Sequence, residues 1–326
     1  MKQKGQVITR AAMQAAKSLT ATALLCTLIA TTIFSATPTA LAQDPSPVYL
    51  ASSGNLALDS HIQGLLEQTL GGQHQLVPVT DEQAAQTDDG PIVTLGPGAF
   101  SRIRQVNRQA PVLALLVEPD FLGGFARRSS GQISGIYHGA PLLRQALIGK
   151  AILPQATRIA LIATAGTAEL YDTLIDELPA YNLEAQLFVV DDDKQLISTL
   201  NRALSYGDFL LAAPDRTIYN PRTMKHVLLT AYRRNRIVIG PSQAYVKAGS
   251  LASGYASFPA MVEMAGGHLQ TFFETGRFPD PGYPPQFRVD INEQVARSLN
   301  IPLATQEQII QNVELRLDSH GGQGDE

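Results

Sequence analysis

Of the 326 residues one is cysteine and none is tryptophan. One cysteine excludes an internal disulfide, a zinc finger and a disulfide-stapled fold. Charged residues make up only 17%, and 25 Lys and Arg against 29 Asp and Glu leave no basic excess of the kind that marks a nucleic-acid-binding chain. Catalytic signatures are missing as well. Gly149-Lys150 is followed by Ala151 and no glycine stands at 144, so the phosphate-loop pattern fails twice. There is no Gly-x-Ser-x-Gly, hence no nucleophile elbow. His61, His74, His138, His226 and His268 lie far apart and never at metal-ligand spacing, and Asp191-Asp192-Asp193 reads as a solvated turn closing a strand. No metal, no cofactor and no enzymatic activity are expected. What is present is 44% hydrophobic residues at a mean hydropathy of −0.00, the balance of a soluble globular protein.

The first 42 residues have the three-part layout of a secretory signal. Lys2, Lys4, Arg10 and Lys17 form a basic start, Leu19 to Phe34 an apolar run, and Ala40-Leu41-Ala42 a small-residue cleavage site before Gln43. Cys26 lies in the apolar run after Leu25, where lipid attachment wants a small residue, and reads as a bystander. The chain from Gln43 onward keeps no cysteine and is more acidic than the whole, and the expected location is the periplasm.

After Gln43 short apolar strands alternate with helical periodicity. Strands are expected at Val48–Ser52, His74–Val79, Pro91–Leu95 and Pro111–Val117, and helices at Ser60–Leu70 and Ala99–Asn107. Gly123-Gly124 and Arg127–Gly131 read as a break, after which the plan repeats with strands at Arg158–Ala163, Gln186–Val190, Phe209–Ala213 and Arg236–Gly240. Near-continuous apolar strands are buried on both faces, as in a parallel sheet covered by helices. The fold class is therefore α/β, two doubly wound parallel-sheet lobes with a ligand cleft between them. Pro279–Pro285 reads as a rigid linker and Leu317–Glu326 as a disordered tail.

Ligands of such sheets bind beyond the carboxyl ends of the strands. There the sequence offers Ser52, Ser53, Glu118 and Asp120 in the first half. In the second it offers Thr164, Gly166 and Thr167, then Asp215, Arg216 and Thr217, then Ser242. Hydroxyls, carboxylates and helix starts together suit a small zwitterion, although Ser, Thr and Asp also stand in such loops simply to cap helices.

Several stretches carry a family likeness: Ile133-Ser-Gly-Ile-Tyr-His138, Pro154-Gln-Ala-Thr-Arg-Ile159, Arg236-Ile-Val-Ile-Gly-Pro-Ser242, Val246-Lys247-Ala248-Gly249, and Val289-Asp-Ile-Asn292. Together they resemble the ABC-transporter substrate-binding proteins of the tryptophan/tyrosine-binding-like group, which have a type I periplasmic-binding fold. The resemblance covers roughly residues 133–303. It implies three crossovers and a division into lobe one (43–132 plus 250–282), lobe two (133–249 plus 283–317) and a tail (318–326). It also adds Tyr137 and His138 to the ligand loops. The sequence departs from the family at Glu118-Pro119, and at Pro214-Asp215-Arg216 where Thr-Asp-Asn is common.

The expected function is that of an exported solute-binding protein of an ABC-type importer. It would trap an amino acid or related zwitterion by hinge closure, act as a monomer and meet an inner-membrane permease. Asp215 would hold a cationic group, with Arg216, Thr164 and Thr167 on an anionic one, and Tyr137, Tyr219 or Tyr245 would cover an apolar part. On this reading Asp215→Ala abolishes binding with little loss of stability. The alternative is a ligand-sensing or receptor-accessory protein working with a sensor kinase or an outer-membrane receptor.

Overall fold

The computed structural model describes residues 46–190, 195–213, 215 and 217–321. The expected signal segment, the Asp191-Asp192-Asp193 run and Arg216 lie outside the described residues. The chain first builds β1 (Ser46–Ala51), α1 (Leu56–Leu70), β2 (His74–Val79), α2 (Asp81–Ala84), β3 (Ile92–Leu95), α3 (Gly96–Val106), β4 (Val112–Val117), α4 (Pro119–Arg128) and β5 (Ile133–Tyr137). These strands form a parallel sheet in the order β2-β1-β3-β4-β5.

The second lobe follows with α5 (Leu142–Ile152), β6 (Arg158–Thr164), α6 (Asp172–Glu177), β7 (Glu184–Val190), α7 (Leu196–Tyr206), β8 (Phe209–Leu211), α8 (Pro221–Arg233), β9 (Ile237–Ile239), α9 (Gln243–Ala248) and β10 (Ala252–Tyr255). α10 (Phe258–Thr275) then returns to the first lobe, and β11 (Arg288–Ile291), α11 (Glu293–Ser298) and α12 (Gln306–Gly321) to the second. The second sheet runs β11-β10-β9-β8-β6-β7, with β11 alone antiparallel. Read from β7, it repeats the strand order of the first and adds one strand.

Both sheets are buried on both faces, as their apolar strands require. In lobe one α1 and α10 cover one face through Ile62, Leu66, Met261 and Leu269, and α3 and α4 cover the other through Phe100, Ile103 and Leu122. In lobe two α5 and α12 face α7 and α8 across the sheet. Burying one such Leu or Phe side chain contributes about 1.5–3 kcal/mol.

Three sequence expectations are corrected here. The glycine-rich stretch after Pro119 is helix α4, not a break. Pro119 is pre-set for the first helical turn, and Phe121 and Phe125 pack edge-on against Phe100. That packing outweighs the roughly 1 kcal/mol that each helical glycine costs relative to alanine. The lobe boundaries move by one strand each. Ile133–Tyr137 pairs with β4 and closes the first sheet, and Ala252–Tyr255 pairs with β9 and β11 in the second. Finally, residues 318–321 belong to α12 rather than to a disordered tail. A reciprocal cap between Thr305 and Gln308 starts this helix, and buried Ile309 and Val313 hold it to lobe two.

Three segments link the lobes side by side. The backbone N–H of Ala256 donates to His138 O (2.8 Å), that of Tyr137 to Gly282 O (2.9 Å) and that of Gly282 to Gly135 O (3.0 Å).

Candidate functional site

A cavity of about 140 Å³ lies where the lobes meet. The loop after β4 lines it with Glu118, Pro119 and Asp120, lobe two contributes Leu170, Ala213 and Pro241, and the crossovers contribute Gly139 and Tyr283. Glu118 and Asp120 are the charged residues of this lining.

The backbone aims Glu118. Leu116 sits in the left-handed region at φ 60°, and the β4–β5 register slips between Leu115 and Val117. Such a bulge, with a bulky residue held at positive φ, costs about 1–3 kcal/mol and recurs where a strand end must redirect a side chain at a functional site. Glu118 occupies the position before the first turn of α4, yet its carboxylate makes no capping bond. Instead Oε1 lies 2.9 Å from His138 Nδ1, at ion-pair distance but not aligned as a hydrogen bond. Beside it the rings of Tyr137 and Tyr283 meet edge to face at 4.9 Å and 61°. Burial, and then the Glu118 carboxylate, push the Tyr283 phenol up, and burial raises that of Tyr137, so both hydroxyls stay protonated donors near neutral pH.

Gln145, buried on α5, is also part of the lining. Its Oε1 accepts from the backbone N–H of Gly254 (2.7 Å) and its Nε2 donates to Gly254 O (2.9 Å), tying the helix to the end of β10.

The other sequence candidates do not gather here. The Ser53 hydroxyl donates to Asp59 Oδ1 (2.6 Å) and helps shape the start of α1, while Ser52 uses its carbonyl to accept from Arg102 (2.8 Å). Asp215 is 3% exposed, and its carboxylate is occupied within its own lobe. Oδ2 accepts from Thr167 Oγ1 (2.5 Å), and Oδ1 accepts from the backbone N–H groups of Thr217 (2.8 Å) and Ile218 (3.3 Å). Thr164 Oγ1 in turn lies 2.9 Å from Thr167 Oγ1. This is a closed network that joins the loops after β6 and β8, and Asp215 is not among the residues lining the interlobe cavity. Gly166 is exposed beside it, and Ser242 precedes α9 with no capping bond from its hydroxyl.

The Tyr245 hydroxyl donates to Tyr219 O, and Tyr219 is buried in lobe two, so of the three expected tyrosines only Tyr137 stands at the cleft. The Tyr219 hydroxyl has no hydrogen-bond partner among the described residues. Tyr219→Phe is therefore expected to leave stability unchanged or to raise it by up to about 1 kcal/mol in thermal unfolding. A loss of that size would reveal a partner for the hydroxyl.

Sequence reasoning missed Tyr283, Gln145 and Leu170. Tyr283 was legible only as an aromatic inside a proline-rich linker, and the other two carry no local signal. Among the described residues no group of three or more His, Cys, Asp or Glu is arranged to hold a metal ion.

No family model matches the chain, and no curated protein sequence matches it. Solved structures do resemble it. A conserved domain protein from Vibrio cholerae O1 biovar El Tor superposes with a TM-score of 0.52 at 16% identity, covering 82% of this chain and 98% of that one. The ligand-free, open structure of a substrate-binding protein with adhesive properties from Clostridium difficile gives 0.61 at 12% identity, covering 81% and 97%. The chain has the type I periplasmic-binding-protein-like fold expected from the sequence.

Proposed function

We propose that the chain is an exported solute-binding protein that closes its lobes on a small amino acid or related solute bearing a cationic group. The observation that carries this reading is the interlobe cavity beyond the strand ends, into which a bulged strand directs Glu118, with Asp120 and Tyr283 alongside. A carboxylate left uncapped in a partly desolvated cleft attracts an ammonium or guanidinium group far better than the same pair does in water. Apolar Leu170, Ala213 and Pro241 on the facing lobe suit the rest of a compact ligand. The likeness to a protein described as substrate-binding supports the same reading.

Contacts made from both lobes convert binding into a shift toward the closed state, which a membrane permease can read. Residues 1–42 act as the export signal in this account. The ligand charge deduced from Glu118 replaces the division of labour expected between Asp215 and Arg216.

Calorimetry of the refolded protein against amino acids, small amines and small carboxylates tests the proposal. A cationic solute is expected to bind, and Glu118→Gln to weaken it about 30-fold or more, corresponding to the ~2 kcal/mol or more lost when one partner of a buried charge pair is removed. A carboxylate ligand without a cationic group, or unchanged affinity in Glu118→Gln, would overturn the assignment. Absence of binding across the panel would move the protein to the accessory role.

A further inference from the structure

Lobe two carries a larger concavity that shares no lining residue with the interlobe cavity. This groove, about 730 Å³, lies between α8, α9 and α11. Met224, Leu228 and Tyr232 line it from α8 at four-residue spacing, which puts them along one helical stripe. Ala248 of α9 and Val295 of α11 face them. Lys225 is the charged residue of the lining.

The charge around the groove is one-sided. The whole chain is acidic at −4, yet residues 216–262 contain seven Lys and Arg and not one Asp or Glu. Arg222, Lys225 and Arg233 are exposed on α8 with no carboxylate at ion-pair distance among the described residues. Glu293, which begins α11, is already paired with Arg297 at 3.2 Å. A concave, mostly apolar space of several hundred Å³ with few polar groups has the character of a small-molecule site. The uncompensated positive charge sets the sign of what enters it.

We propose that this groove is a second ligand site, taking a soluble amphiphilic anion whose apolar body lies along Met224, Leu228 and Tyr232 and whose carboxylate or phosphate head meets Lys225. The site is independent of the interlobe reading, and either can fail without the other.

The absence of tryptophan supplies the test. Leu229 is 42% exposed and lines the groove, so Leu229→Trp adds a single fluorescent reporter at a position where folding does not depend on the side chain. Decanoate, below its micelle concentration, is expected to shift this emission to the blue with saturation at one equivalent. Calorimetry of the wild-type protein with decanoate should give the same dissociation constant. Lys225→Glu in the reporter background is expected to weaken binding at least tenfold, and Ala248→Phe, which fills the groove from an exposed position, to abolish it. Decyltrimethylammonium should not compete. The proposal is overturned if the cation binds as well as the anion, if Lys225→Glu leaves decanoate affinity unchanged, or if decanoate does not bind at all. A response to anionic phosphatidylglycerol vesicles alone would overturn it in favour of a membrane-contact face.

Discussion

Replacement of Asp215 by alanine is expected to lower the unfolding free energy by about 3–4 kcal/mol and the melting temperature by roughly 6–12 °C. The carboxylate is 3% exposed and accepts three hydrogen bonds, two of them from backbone N–H groups that have no other acceptor among the described residues. Hydrogen bonds to a charged group contribute about 1.5–3 kcal/mol each, and a buried donor left without a partner costs the full desolvation penalty. Part of the loss is recovered where water enters the space, which keeps the total below the sum of three. Asp215→Asn retains an acceptor for the two backbone donors but turns an amide toward Thr167, so about half the loss is expected. Thermal unfolding of the two variants checks this. An Asp215→Ala protein that melts like the wild type but no longer binds its solute would return Asp215 to the ligand.

Gly149→Ala is expected to destabilise the protein by about 2 kcal/mol, although alanine is the better helix former by roughly 1 kcal/mol. A β-carbon there would lie 2.6 Å from two ring atoms of Phe209 and 3.2 Å from Ile239 Cγ1. Phe209 and Ile239 are fully buried, so neither can swing away, and overpacking of this severity falls at the upper end of the usual 1–3 kcal/mol. The strain also has a functional consequence. Gly149 lies one turn after Gln145, the residue that joins α5 to β10 and lines the cleft. A helix lifted off the sheet moves that junction, so solute affinity is expected to fall together with stability. Shortening the opposing ring restores room, and Gly149→Ala combined with Phe209→Leu should be more stable than the two separate losses predict. A single variant as stable as the wild type would show that α5 can shift without cost.

The sequence by itself determined the architecture. Strands such as Ile92–Leu95, Val112–Val117 and Arg158–Thr164 are rich in apolar residues, and their alternation with helical segments fits the interior of a parallel sheet. Their alternation with amphipathic helices dictated two doubly wound lobes, and the rule that ligands sit beyond the strand ends offered Glu118 and Asp120 among other loop residues, while Tyr137 came from the family resemblance. Helix α12 is missing from the sequence reading, although Thr305 and Gln308 form a capping box at its start.

Tertiary structure alone decided the rest. The resemblance sets Ile133–Tyr137 at the opening of lobe two, whereas the structure pairs it with β4 in lobe one, because edge pairing depends on partners distant in the chain. The same limit applies to the candidate site. Asp215 and Glu118 are both carboxylates just after a strand, alike in sequence. The first turns inward because Thr167, 48 residues away, and two nearby backbone N–H groups satisfy it. The second, turned by a bulge at Leu116, lies beside His138 and lines the same cavity as Tyr283, 165 positions further on, from a segment that reads only as a linker. A side chain's chemistry is local, but which of its hydrogen bonds are already made is a property of the folded whole.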